Sequence, residues 1–211
     1  EAVSNPDLED QARKWFKLLE DGNEEAKALW QWFRDESLKE FSGIYDLMGI
    51  EFDSFAGEAF YNDKMDVIIE QLERMNLLTS SDGAEVVKLD DQDLPPALIR
   101  KSDGATLYAT RDLAAAYYRQ NTYHFSKALY VVGNEQSHYF KQLKAVLKKM
   151  QFDWADEVIH IPFGMMQKDG KKMSTRKGKV VLLEEVLKES IDTVLNTINE
   201  RNPELAHKEE V

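Results

Sequence analysis

The 211-residue chain contains no cysteine. Disulfide cross-links and thiolate metal sites are therefore excluded. Its four histidines, at positions 124, 138, 160 and 207, are scattered, and none forms a helical pair, so no metal site is expected. No apolar run is long enough to cross a bilayer. No basic start followed by an apolar stretch reads as a secretory signal, so neither membrane association nor export is expected. A reducing, cytoplasmic location fits these absences. Neither of two common phosphate-binding fingerprints, G-x-x-x-x-G-K-[ST] and G-x-G-x-x-G, occurs. Internal repeats and low-complexity segments are also missing.

What is present is acid, unevenly spread. The formal net charge is −12. Residues 1–100 carry 10 basic and 24 acidic side chains, residues 101–179 carry 14 and 7, and residues 180–211 carry 3 and 8. A basic middle between acidic flanks suits an anionic ligand, with phosphate the leading candidate. The charge is densest in KDGKKMSTRKGK, residues 168–179, where six of twelve residues are Lys or Arg. Lysines that only solvate a helix and a turn would give the same composition. The chain begins at Glu1, without Met, in polar helix-like sequence, and a segment of a longer protein is expected.

Periodicity predicts a helical hairpin over residues 8–41, with Leu8, Ala12, Trp15, Phe16 and Leu19 at helical spacing and a joint at Asp21-Gly22. Residues 42–63 read as aromatic and irregular. Residues 64–78 read as an amphipathic helix with Met65, Ile68, Ile69, Leu72 and Met75 on one face. SSDG at 80–83 predicts a turn, and AEVVKL a strand. ALIRKSDGATLYAT reads as strand, Asp-Gly turn, strand, and RDLAAAYYRQ as a helix. KALYVVG and EVIHIPFGMM have the look of buried parallel strands. A helix is expected between them, over residues 136–150, and a long last helix over Leu183, Leu187, Ile191, Val194 and Ile198. The alternation predicts an α/β fold with a parallel sheet. Ligands bind beyond the carboxyl ends of such strands, which here carry Gly133-Asn134-Glu135-Gln136 and Phe163-Gly164-Met165-Met166. Gly133 and Gly164 would allow close backbone approach to a nucleotide, or would only make tight turns.

Gly170 and Gly178 bracket the basic loop, where Lys172, Arg176 and Lys177 could meet a polyphosphate and Ser174 could donate a hydrogen bond. Such a loop stabilises charge chiefly in the transition state. Within it, KKMST resembles the Lys-Met-Ser-Lys-Ser signature of class I aminoacyl-tRNA synthetases. Lys172, Met173 and Ser174 match in order, whereas Thr175 and Arg176 depart from it. SDGATLYATRDLAAAYYR at 102–119, YVVGNEQSHYFKQL at 130–143, FGMMQKDGKKMSTRKGKVVLLEE at 163–185 and FDSFAGEAFYNDKMD at 52–66 together resemble bacterial arginyl-tRNA synthetases.

The resemblance implies the second half of a Rossmann-like parallel-sheet catalytic domain with a largely helical inserted N-terminal segment. Residues 1–97 would be that segment and residues 98–182 the nucleotide-binding half with the signature loop. Residues 183–211 would lead towards an anticodon-binding domain. The class's His-x-Gly-His motif is absent from this sequence, so the fragment alone is expected to be inactive. The implied activity is ATP-dependent activation of L-arginine and its transfer to tRNA(Arg). Mg²⁺ would arrive with ATP. A guanidinium calls for a planar, bidentate carboxylate; the resemblance gives that role to Asp112, read as the start of a helix after a TLYAT strand. Tyr108 and Gln136 are implied arginine contacts. Gly133, His160, Gly164 and Met166 would flank ATP, and Lys172, Ser174, Arg176 and Lys177 would hold the phosphates. Each has a plainer reading: Asp112 at a positive helix end, Tyr108 in a core, Gln136 in water, His160 as an ordinary strand residue. The family usually carries His where this chain has Tyr139, and the adjacent His138 looks transposed. Another class I synthetase, for lysine, glutamate or cysteine, and a non-catalytic tRNA- or nucleotide-binding module are the alternatives.

Overall fold

The structure is a computed structural model that describes residues 6–102, 108–165, 167–168, 171–172 and 182–205. The chain divides into two compact units, residues 1–53 with 180–211, and residues 54–179.

The first unit holds helices α1 (Pro6–Glu20), α2 (Glu24–Met48) and α6 (Leu183–Arg201). α1 and α2 form the expected hairpin. Gly22 turns it at φ 79°, and the Asn23 side chain accepts from the Ala26 N–H at 3.1 Å, which caps α2. α2 runs to Met48, beyond the sequence expectation, because Gly43 is tolerated inside it and the first left-handed residue is Gly49, φ 62°. Phe52 then folds back edge-on to Tyr45, with centroids 4.7 Å apart.

The second unit opens with a 3₁₀ stretch, Glu58–Lys64, which buries Tyr61. Helix α3 (Met65–Arg74) follows and buries Met65, Ile68, Ile69 and Leu72. It stops short of residue 78 because Asn76 takes φ 53°. Strands β1 (Leu78–Ser81), β2 (Ala84–Val87) and β3 (Ala97–Arg100) make an antiparallel sheet in that order. Asp82 and Gly83, at φ 51° and 79°, form the β1–β2 turn, the geometry a two-residue hairpin loop needs.

Tyr108–Tyr123 is helix α4. Tyr108, Ala109 and Thr110 are thus its first turn, not the end of a TLYAT strand. Ala-rich sequence favours helix here, and Thr110 spends its hydroxyl on the Ile99 carbonyl of β3. Strands β4 (Ala128–Gly133) and β5 (Val158–Phe163) pair in parallel, joined through helix α5 (Ser137–Lys149). The parallel pairing follows the sequence expectation; burial on both faces does not. Ala128, Tyr130, Val132 and Val158 pack into the core, while Leu129, Val131, Ile161 and Phe163 on the alternate face are exposed. β6 (Gln167–Lys168) and β7 (Lys171–Lys172) form a short antiparallel pair. The core of this unit is a single cluster in which Ile68, Leu72, Ile99, Leu113 and Leu147 are all but inaccessible to water. It clamps α3, α4 and α5 onto β3.

Candidate active site

Asp112 lies in the second turn of α4, four residues after Tyr108. Two residues four apart lie on the same side of a helix, so helical backbone at Tyr108 places both on one side of α4; the Tyr108 ring itself lies 5.9 Å from the Arg111 guanidinium. Tyr108 is 68 % exposed, whereas Asp112 is half-buried. From α5, the Tyr139 phenol donates to Oδ2 of Asp112 at 2.5 Å. Tyr108 and Tyr139 both line a cleft of about 270 Å³, walled by Leu98, Leu113 and Val146.

The surroundings of Asp112 are tightly partnered. Arg111 donates to Asn62 Oδ1 at 3.0 Å and to Glu58 Oε2 at 3.2 Å. Arg119 sits between two rings, 5.4 Å from the centroid of Tyr61 and 5.3 Å from that of Tyr130. Burial pushes the Asp112 carboxyl above its ordinary range; the Tyr139 bond opposes this, Glu58 adds to it, and Arg119 and Arg111 oppose it. Tyr139 is also pushed up, by burial first and then by the Asp112 charge. The phenol therefore stays a neutral donor.

At the carboxyl ends of the parallel strands, Gly133 pairs with Phe163, which brings the two glycine-bearing ends next to each other. Gly133 has φ −53°, so it is not there for left-handed backbone. A Cβ at Gly133 would lie 3.0 Å from the Glu135 carboxylate, and one at Gly164 would meet nothing within 4 Å. Gln136 is exposed just before α5 and does not cap it with its side chain. His160 Nε2 lies 3.0 Å from the Val132 carbonyl, and its ring stacks on Phe140 at 4.5 Å. Lys172 ends β7. Met166, Ser174, Arg176 and Lys177 lie outside the described residues.

The structure thus gathers Tyr108 and Asp112 on one helix and Gly133, Gln136 and Gly164 around the strand ends. Sequence reasoning missed Tyr139 as a partner of Asp112, and it missed the cage of Tyr61, Arg111, Glu58 and Arg119. A departure at Tyr139 was visible; its partner was 27 residues away. Among the described residues no group of three or more His, Asp or Glu could hold a metal ion, and no helix is long and apolar enough to cross a membrane.

The α/β frame, with a half-buried carboxylate on α4 and a parallel strand pair ending in glycines, is one in which a class I aminoacyl-tRNA synthetase can be sought. The family model described as "tRNA synthetases class I (R), catalytic domain" matches residues 3–211, and the chain belongs to that family. Over all 211 residues it is 64 % identical to the arginine–tRNA ligase of Enterococcus faecalis and 60 % identical to that of an Exiguobacterium species. It spans 38 % of the length of each. Its fold is like that of the arginyl-tRNA synthetase of Plasmodium falciparum, with TM-score 0.74 at 24 % identity over 92 % of this chain and 33 % of that one. The Thermus thermophilus enzyme gives TM-score 0.60 at 19 % identity over 71 % of this chain and 31 % of that one.

Proposed function

We propose that this chain is the arginine- and nucleotide-binding part of an arginine–tRNA ligase, and that Asp112 receives the guanidinium of L-arginine. The observation that carries this reading is the half-buried Asp112 carboxylate, one helical turn after Tyr108 on α4 and held by Tyr139. A partly desolvated carboxylate held by one neutral donor is matched to a planar cation. Tyr108 would pack on the aliphatic or guanidinium part of the substrate, and Gln136 would reach its α-amino acid head.

Activation forms the bond between an arginine carboxylate oxygen and the α-phosphorus of ATP. The bond from that phosphorus to the bridging oxygen breaks, and pyrophosphate leaves. A ribose hydroxyl of tRNA(Arg) then attacks the arginyl carbonyl, and AMP leaves. No covalent enzyme intermediate is needed; positioning and charge stabilisation supply the rate. Gly133 and Gly164 would flank the nucleotide, with His160 and Met166 near its base. Lys172, Ser174, Arg176 and Lys177 would meet the phosphates, and Mg²⁺ would enter with ATP as part of the substrate. A cytoplasmic location follows from this activity.

Functionally, residues 1–97 would serve as an inserted helical segment, 98–182 as the binding half, and 183–211 as the lead into a tRNA-binding region. These are divisions of role and cut across packing, since α3 packs on α4. The segment of 211 residues alone should not charge tRNA. The test is charging of tRNA(Arg) with labelled arginine by the full-length enzyme that carries this segment. Charging that requires ATP is expected. Binding of tRNA without ATP-dependent charging would point to a non-catalytic module, and charging with lysine or glutamate instead would reassign the specificity.

A further inference from the structure

The Tyr139 ring lies edge-on to Phe140 at 5.6 Å, a contact a phenylalanine ring could also make. The Tyr139 oxygen is directed at Oδ2 of Asp112. We propose that Tyr139 is a positioning residue for arginine, holding the Asp112 carboxylate in one orientation before the guanidinium arrives. The inference rests on the reading of Asp112 as the guanidinium partner.

Three observations support it. First, the two nearest cations are engaged elsewhere. Arg111 is turned to Glu58 and Asn62, and Arg119 lies between the rings of Tyr61 and Tyr130. Among the described residues neither closes an ion pair with Asp112, so the carboxylate is not spent on an internal salt bridge. Second, the donor comes from α5 whereas the acceptor is on α4. The bond therefore fixes Asp112 from outside its own helix, which restricts its rotamers more than a local contact would. Third, Tyr139 lines the same cleft as Tyr108, so the group that orients the carboxylate faces the space beside the substrate-facing tyrosine.

A hydrogen bond donated to a carboxylate favours its ionised form. The groups acting on Asp112 are Glu58 from the 3₁₀ stretch, Arg111 and Arg119 from α4, Tyr130 from β4 and Tyr139 from α5. Burial and Glu58 oppose ionisation; the Tyr139 hydrogen bond works against them, as do the charges of Arg119 and Arg111, and the carboxyl stays above its ordinary range. Without the phenol, a higher pH is needed to charge Asp112.

The experiment uses the full-length synthetase carrying this segment and its Tyr139→Phe, Tyr139→His and Asp112→Asn variants. Arginine charging is followed across pH, with separate KM values for arginine and ATP. Tyr139→Phe should raise the KM for arginine by about tenfold or more, from the lower end of the range for losing one hydrogen bond to a charged group. The KM for ATP should stay near that of the parent, and the acid limb of kcat/KM for arginine should move to higher pH. Tyr139→His, whose imidazole N–H can also donate, should recover most of the arginine KM. An unchanged arginine KM and acid limb in Tyr139→Phe, with Asp112→Asn still crippled, would overturn the role of Tyr139 alone. Equal rises in both KM values, with a lower melting temperature and no rescue by His, would make Tyr139 merely structural and overturn the proposal. Normal charging by Asp112→Asn would remove the reading beneath it.

Discussion

The Thr110 hydroxyl donates a 2.5 Å hydrogen bond to the Ile99 carbonyl from a position with no exposure to water. It joins the first turn of α4 to β3, two residues before Asp112. A buried carbonyl left without its donor costs about 1–3 kcal/mol. Thr110→Val keeps the shape and removes the donor, so denaturant unfolding should show a loss in that range. An unchanged midpoint would mean that α4 is held by apolar packing alone.

Arg119 ties residues 58–64 to the core through the Tyr61 and Tyr130 rings. A planar guanidinium stacks where an ammonium does not. Arg119→Lys should therefore lower stability by about 1 kcal/mol and speed hydrogen exchange in the Glu58–Lys64 stretch more than in α5. Uniform exchange changes across both segments would contradict this.

The fold bears a cost for keeping Asp112 ionised. Its folded-state carboxyl is raised above its unfolded value, chiefly by burial. The folded state therefore binds the proton more tightly, and stability falls as pH rises through the raised value. Asp112→Asn, whose amide oxygen can still accept from Tyr139, removes that cost. Its melting temperature should exceed the parent's at neutral pH, and the gap should close as pH falls below the ordinary carboxyl range. A variant less stable than the parent at neutral pH would show that the charge supports the fold.

Local signals carried much of the fold. Asp21-Gly22 and Asp82-Gly83 marked turns whose positive φ angles the structure shows, and the apolar runs at KALYVVG and EVIHIPF gave a parallel pair. Failures came where tertiary context outweighed local pattern. TLYAT alternates like a strand, yet Tyr108 to Thr110 are helical because Thr110 finds its acceptor across the core in Ile99. β4 and β5 read as buried, yet Leu129 and Val131 are exposed on the face away from α5. At the candidate site, Asp112 and Tyr108 were singled out through family resemblance; that both stand on one helix was not legible, since Tyr108 read as part of a strand. Tyr139 was legible only as a departure, because its meaning depends on a contact between two helices. The Arg111–Glu58 link spans 53 residues and leaves no periodic trace.

The central claim is that Asp112 recognises the arginine guanidinium. It is tested most directly by measuring kcat/KM for arginine in tRNA charging by the full-length enzyme and its Asp112→Asn variant, with citrulline as a competing ligand. Citrulline is nearly isosteric but neutral. Leaving a buried charge without its partner costs about 3–5 kcal/mol. The variant should therefore lose more than about 100-fold in kcat/KM, and its preference for arginine over citrulline should collapse. Charging within a few-fold of the parent, with citrulline still excluded, would contradict the account and move the guanidinium partner elsewhere.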